Sequence, residues 1–176
     1  MNESIFYFLN QFAGRSDAID SVFIFLANNF GYVLLLALVY FIVTHENREH
    51  GIREAAIALF VAGFAWTVSE GLNYIFLIER PFAVLPDVTL IFPHEADYAF
   101  PSGHTTFYFA LATALYFYRK PIGFIVGLGT VLLGLARVIS GVHWPLDILG
   151  GFAVGLAVSV LVIKLLERWS GVVADS

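Results

Sequence analysis

Apolar runs of membrane-crossing length, separated by short turns that hold most of the charge, predict an all-α polytopic transmembrane bundle of about five to six spans with a short N-terminal helix lying in the lipid–water interface. Composition agrees, since 59% of the 176 residues are hydrophobic and 13% charged, less charge than a soluble domain of this length carries. No soluble linker, low-complexity tract or internal repeat interrupts the pattern, so residues 1–176 are expected to form a single integral membrane domain. A formal net charge of −5 argues against nucleic acid as a partner. With no cysteine, disulfides and thiolate metal sites are excluded.

The elements are taken in chain order. Residues 4–13 place Ile5, Phe8, Leu9 and Phe12 at helical spacing, too short to span and suited to the interface. Met1-Asn2-Glu3-Ser4 lacks the positive region of a cleavable leader, so this segment is expected to be retained. Gly14-Arg15-Ser16-Asp17 breaks the helix, and Asp20 or Ser21 is placed to cap the next one. Five spans are read at about 21–43, 55–78, 103–118, 122–139 and 146–166. In the first, Asn28-Asn29-Phe30-Gly31 is a point where an interfacial turn could precede a shorter span.

The nine basic residues orient the bundle. Arg48 and Arg53 fall between spans one and two, Arg119 and Lys120 between three and four, and Lys164 and Arg168 at the C-terminal end. With five spans these six share one side, which the positive-inside rule makes cytoplasmic. Only Arg15, Arg80 and Arg137 lie on the other side. The same parity gathers Arg80, Ser102, Arg137 and His143 outside the cytoplasm, each at a span end.

His143 and Asp147 are four apart, on one face of a helix that Pro145 can start. A carboxylate at this spacing can accept one imidazole N–H, fix the tautomer and leave the other nitrogen as a nucleophile. A helix-start histidine beside a capping acid would look the same in sequence. Pro101-Ser102-Gly103-His104 precedes an apolar span; Ser102 can cap it, and the N–H groups around Gly103 can face an anion. On the tetrapeptide alone, an ordinary turn into a helix is the better explanation. Arg80 and Arg137 have planar forks suited to bidentate phosphate binding, against the alternative of snorkelling to headgroups. Glu70 lies inside span two with Asn73 and Arg80 following on a compatible face, and a structural hydrogen bond is its expected role, cavity lining the alternative.

His94, Glu95 and Asp97 occupy a loop that also carries Phe82, Leu85, Leu90, Ile91 and Phe92. This loop is expected to rest on the membrane, with His94, Glu95 and Asp97 able to touch a headgroup. His45 and His50 are expected to be solvated on the cytoplasmic side, and the Trp and Tyr residues near span ends to act as interfacial anchors.

At these residues the chain resembles the type 2 phosphatidic acid phosphatase (PAP2) superfamily, whose pattern is K-x6-R-P, then P-S-G-H, then S-R-x5-H-x3-D. Arg80-Pro81, Pro101–His104, and Arg137, His143 and Asp147 match in order and spacing. The resemblance runs from about Asn73 to Asp147, and the span order extends it over the whole chain. Asn73 stands where the family has lysine and Ala136 where it has serine, which removes one positive phosphate contact and one hydroxyl donor.

The resemblance implies that His143 attacks phosphorus to form a phosphohistidine, oriented by Asp147. It implies that His104 protonates the leaving oxygen and then activates water, while Arg80, Arg137, Ser102 and Gly103 hold the phosphoryl oxygens. Asn73, Glu70 and His94 are candidate substrate-lining residues. No metal and no cofactor are implied, because the arginines take the place of magnesium. Phe92-Pro93-His94-Glu95-Ala96-Asp97 before the tetrapeptide is similar to undecaprenyl-diphosphate phosphatases of the bacitracin-resistance type. That similarity implies a polyprenyl diphosphate substrate in a bacterial inner membrane, and membrane lipids are the further partners expected. Phosphatidylglycerophosphate, phosphatidic acid and lipid A 1-phosphate phosphatases share the pattern. Transfer to a lipid acceptor, a metal site built from His104, His143 and Asp147, and non-catalytic lipid binding or transport are the rival classes.

Overall fold

A computed structural model describes residues 1–170, which are helical apart from turns and one long loop. Helix α1 covers Asn2–Asn10. A continuous run of 27 residues comes next, made of α2 (Asp17–Ile24), a π turn at Phe25–Asn29 and α3 (Phe30–Val43). Helix α4 is Arg48–Phe76, α5 is the single turn Pro81–Val84, α6 is Gly103–Tyr118, α7 is Lys120–Ile139 and α8 is Pro145–Ser170. Among the described residues, four helical stretches are long and apolar enough to cross a membrane: 17–43, 48–76, 120–139 and 145–168.

The fifth expected span is α6. At 16 residues it is about 24 Å long, short of a hydrocarbon layer of about 30 Å. It packs on α4, α7 and α8, and its Ala110, Leu111, Ala114 and Leu115 are fully buried. Small residues make that packing close. Ala55, Ala58, Ala62 and Ala65 of α4 share a core with Ala110 and Ala114 of α6. A Cβ on Gly155 of α8 would come 2.8 Å from the Thr106 carbonyl, so only glycine lets the two backbones meet there.

The helix starts and stops have local causes. Ser16 accepts from the Ile19 N–H and opens α2; Asn47 accepts from Glu49 and His50 N–H groups and opens α4. Because Asn47 caps so early, α4 begins seven residues before the apolar run read from the sequence, and Leu77 in left-handed geometry ends it. At the expected break near Asn28 the chain makes no interfacial turn. The ladder widens to one π turn, Phe30 N–H reaching the Phe25 carbonyl, and the helix continues.

The two ends of the bundle separate as parity requires. At one end, Arg119 Nη1 donates to Thr44 Oγ1 at 2.6 Å, joining the α3–α4 and α6–α7 turns. At that end His45 is half-buried against Glu54, 3.2 Å away, rather than solvated, while His50 is exposed. The other end gathers the 77–102 loop, the start of α6, the α7–α8 turn and α1. Helix α1 does more than float at the interface. Ile5 and Phe8 are exposed, but Phe6 is fully buried with its ring 5.4 Å from Trp144. Asn10 donates to the Thr89 and Ile139 carbonyls and accepts from the Thr89 N–H, pinning loop and α7 together.

Candidate active site

The turn between α7 and α8 carries the reactive pair. Gly141 adopts φ +86°, which a side chain would strain, and turns the chain back so that His143 precedes α8. Asp147, in the first turn of α8, accepts from the Trp144 backbone N–H at 2.7 Å through Oδ2, closing the helix start. The same oxygen lies 3.2 Å from His143 Nδ1. Both side chains are buried.

Arg80 completes this cluster. Its Nε donates to Asp97 Oδ1 at 2.5 Å, Nη1 to the Val142 carbonyl at 2.9 Å and Nη2 to the Tyr98 carbonyl at 3.3 Å. Nη1 also lies 3.2 Å from His143 Nε2. A guanidinium only donates, so Nε2 must bear the lone pair and Nδ1 the proton given to Asp147. Burial, then the charges of Arg137, Arg80, His104 and His94, push the His143 pKa well below its ordinary value, so the ring is neutral. A neutral imidazole with an oriented lone pair is the state a nucleophile needs.

Arg137, at 2% exposure, donates from Nη1 to the Ala27 carbonyl at 3.2 Å, and its Nη2 lies 3.1 Å from His94 Nε2. Its Nε has no partner among the described residues, and neither do the buried Ser140 Oγ and Asn73 Oδ1. Orphaned polar atoms are rare in packed interiors.

Ser102 is fully buried at the start of α6, tied to α8 by its N–H to the Asp147 carbonyl at 3.1 Å. Its hydroxyl makes no capping bond, contrary to expectation; Thr105 Oγ1 donates to it at 3.2 Å, which leaves its own proton free to donate. A Cβ at Gly103 would stand 3.1 Å from Trp66 Nε1 and 3.2 Å from Glu70 Oε1, so the glycine also serves the approach of α4. His104 is exposed, lining a cavity of about 290 Å³ with Trp66, Phe107 and Tyr108.

Glu70 and Asn73 border a second cavity of about 380 Å³ with Arg80, Asp97 and Tyr98. Glu70 makes no hydrogen bond among the described residues, so cavity lining replaces the structural role expected of it. Ala136 is buried within α7 and adds no polar atom.

Three contributions escape the sequence. Asp97, expected to contact a headgroup, clamps Arg80 instead. Trp144, expected among the interfacial anchors, is buried and donates from Nε1 to the Glu79 carbonyl at 2.9 Å. Ala27 offers only a backbone carbonyl, for which no residue pattern exists. The rings of Phe82 and Phe92 flank His94 at 6.4 and 6.2 Å.

The fold and this cluster define a multi-pass membrane protein built for phosphate chemistry. The family model described as PAP2 superfamily matches residues 54–170, and the chain belongs to that superfamily and is a membrane phosphatase. It is 31% identical over 165 residues to the bacitracin transport permease protein BcrC of Bacillus licheniformis, covering 92% of this chain and 79% of that protein. It is 28% identical over 170 residues to the undecaprenyl-diphosphatase BcrC of Bacillus subtilis, covering 93% and 83%. The crystal structure of Aquifex aeolicus LpxE is similar with a TM-score of 0.73 and 30% identity, over 93% of this chain and 94% of that one.

Proposed function

We propose that this phosphatase converts undecaprenyl diphosphate to undecaprenyl phosphate through a phosphohistidine, at the extracytoplasmic face of a bacterial inner membrane, without metal or cofactor. The observation that carries the chemistry is the His143 lone pair, fixed by Asp147 behind it and facing the Arg80 guanidinium. A cation at that position favours a phosphoryl oxygen and repels a metal ion. The relatives named for this substrate support the choice of lipid. The six basic residues at the opposite end support the sidedness.

His143 Nε2 attacks the terminal phosphorus as the bond to the bridging oxygen breaks, and His104 gives its proton to that oxygen. Arg80 turns Nη1 from Nε2 to the phosphoryl group, which Arg137, Ser102 and the Gly103 N–H also meet. Undecaprenyl phosphate leaves. Water then attacks the phosphohistidine, His104 takes its proton, the N–P bond breaks and inorganic phosphate departs. Asp147 holds the positive charge of the His143 ring throughout.

The test is phosphate release by detergent-purified protein with chelator present, comparing undecaprenyl diphosphate, phosphatidylglycerophosphate, phosphatidic acid and lipid A, each against His143→Ala. Preferential release from the diphosphate, abolished by the substitution, is expected. Release confined to another lipid overturns the substrate, and release only when an acceptor lipid is added makes the protein a phosphotransferase. No release, with bacitracin transport retained by His143→Ala, returns the transport reading.

A further inference from the structure

Arg137 is a buried cation without a carboxylate at bonding distance among the described residues. Two neutral acceptors hold it instead, the Ala27 carbonyl on Nη1 and His94 Nε2 on Nη2. They come from distant parts of the chain. Ala27 lies within the π turn, fully buried. His94 reaches in from the 77–102 loop, 43 residues before Arg137.

The tautomer of His94 is set by its partners. Nδ1 lies 3.1 Å from the Glu95 carbonyl, which only accepts, so Nδ1 carries the proton and Nε2 the lone pair offered to Arg137. Each terminal nitrogen of the guanidinium thereby spends one of its two N–H groups on a holder. The orphaned Nε–H and the remaining N–H groups are left for a ligand.

Building on the phosphatase reading, we infer that His94 is a positioning residue: with the Ala27 carbonyl, its unprotonated ring grips the Arg137 guanidinium by two corners and fixes the edge that receives the phosphoryl oxygens. Protonation of His94 turns an N–H against the arginine and releases the grip. The charged and titratable groups bearing on this ring are Arg80, Arg137, Asp97, His104 and His143. Burial and the two arginines hold it below the ordinary histidine pKa, against the opposing pull of the Glu95 carbonyl and Asp97.

The test uses detergent-purified full-length protein with His94→Ala, His94→Asn and His94→Gln. The Gln amide oxygen reaches the Nε2 position, whereas the Asn oxygen reaches only that of Nδ1. Affinity for inorganic phosphate, by titration calorimetry, should fall roughly tenfold or more in Ala and Asn and stay within about threefold of wild type in Gln. Turnover of the lipid diphosphate should follow the same order, and the acid limb of kcat/KM should move to lower pH in Gln, which does not titrate. Gln as impaired as Asn, or an unmoved acid limb, overturns the inference; if the Ala variant does not fold, Gln against Asn still decides. Phosphate binding reads out His94 even if wild type releases no phosphate, the outcome that sinks the phosphatase reading alone. Normal release lost in His143→Ala, with a flat His94 series, sinks only the role of His94.

Discussion

Replacing Asp147 with asparagine removes one charge while preserving shape, and it isolates what the carboxylate does. Oδ2 accepts from both the Trp144 N–H and His143 Nδ1. The amide oxygen of Asn can keep the Trp144 bond, so the helix start survives at a cost of about 1 kcal/mol or less. The His143 bond cannot be kept on equal terms, because it becomes charge-assisted once the ring bears phosphate and a positive charge. A buried bond of that kind contributes about 1.5–3 kcal/mol, which is about 10- to 150-fold in rate. An Asn turned to offer its NH2 group would favour the wrong tautomer and lower the rate further, as the loss of about 10⁴ in the serine protease triad shows. The drop should fall on kcat with KM within about threefold, since Arg80 and Arg137 keep their positions. Steady-state phosphate release by wild type, Asp147→Asn and His143→Ala measures it. A kcat within about threefold of wild type would refute the orienting role.

Asp97→Ala should leave kcat nearly unchanged and raise KM about three- to tenfold, because it frees Arg80 Nε from a half-exposed partner while the backbone carbonyls still hold the fork; an unchanged KM would make the clamp inconsequential. Asn10→Ala breaks three hydrogen bonds between α1, Thr89 and Ile139, and a loss of about 2–4 kcal/mol should appear as a lower Tm in detergent; a Tm within about one degree of wild type would show that α1 is dispensable. In wild type, activity should persist on the acid side below the ordinary His value of about 6.5, since His143, the proposed nucleophile, acts when neutral and its pKa is depressed. An acid limb centred at about 7 or above contradicts that environment.

The bundle is legible in the sequence because lipid imposes a simple rule: every span must be helical and apolar. The three-block pattern is legible because His143, Asp147, Arg80 and Arg137 each contribute through side chains at fixed spacing. Contacts through backbone atoms are invisible. Nothing in Phe25–Asn29 says that the ladder widens or that the Ala27 carbonyl meets an arginine 110 residues away. The path of the 82–97 loop is hidden for a related reason. Its phenylalanines suit lipid as well as a histidine ring, and only the tertiary path decides between them. Glu70 departs from expectation because a mid-span carboxylate usually needs a partner, whereas this one borders a cavity.

The shortness of α6 has a consequence for how the reaction divides its products. Its far end is tied to the α3–α4 turn by the bond from Arg119 to Thr44, and at its near end Gly103 packs beside Trp66 and Glu70, well before α4 stops at Phe76. A short post inside a taller ring makes a well, and His104 sits on the post. In the proposed mechanism a lipid phosphate sinks to meet it, and water follows down from the aqueous side. After cleavage the greasy product is already among acyl chains and the phosphate is already in water. The two leave into different phases, and their recombination is disfavoured by geometry alone.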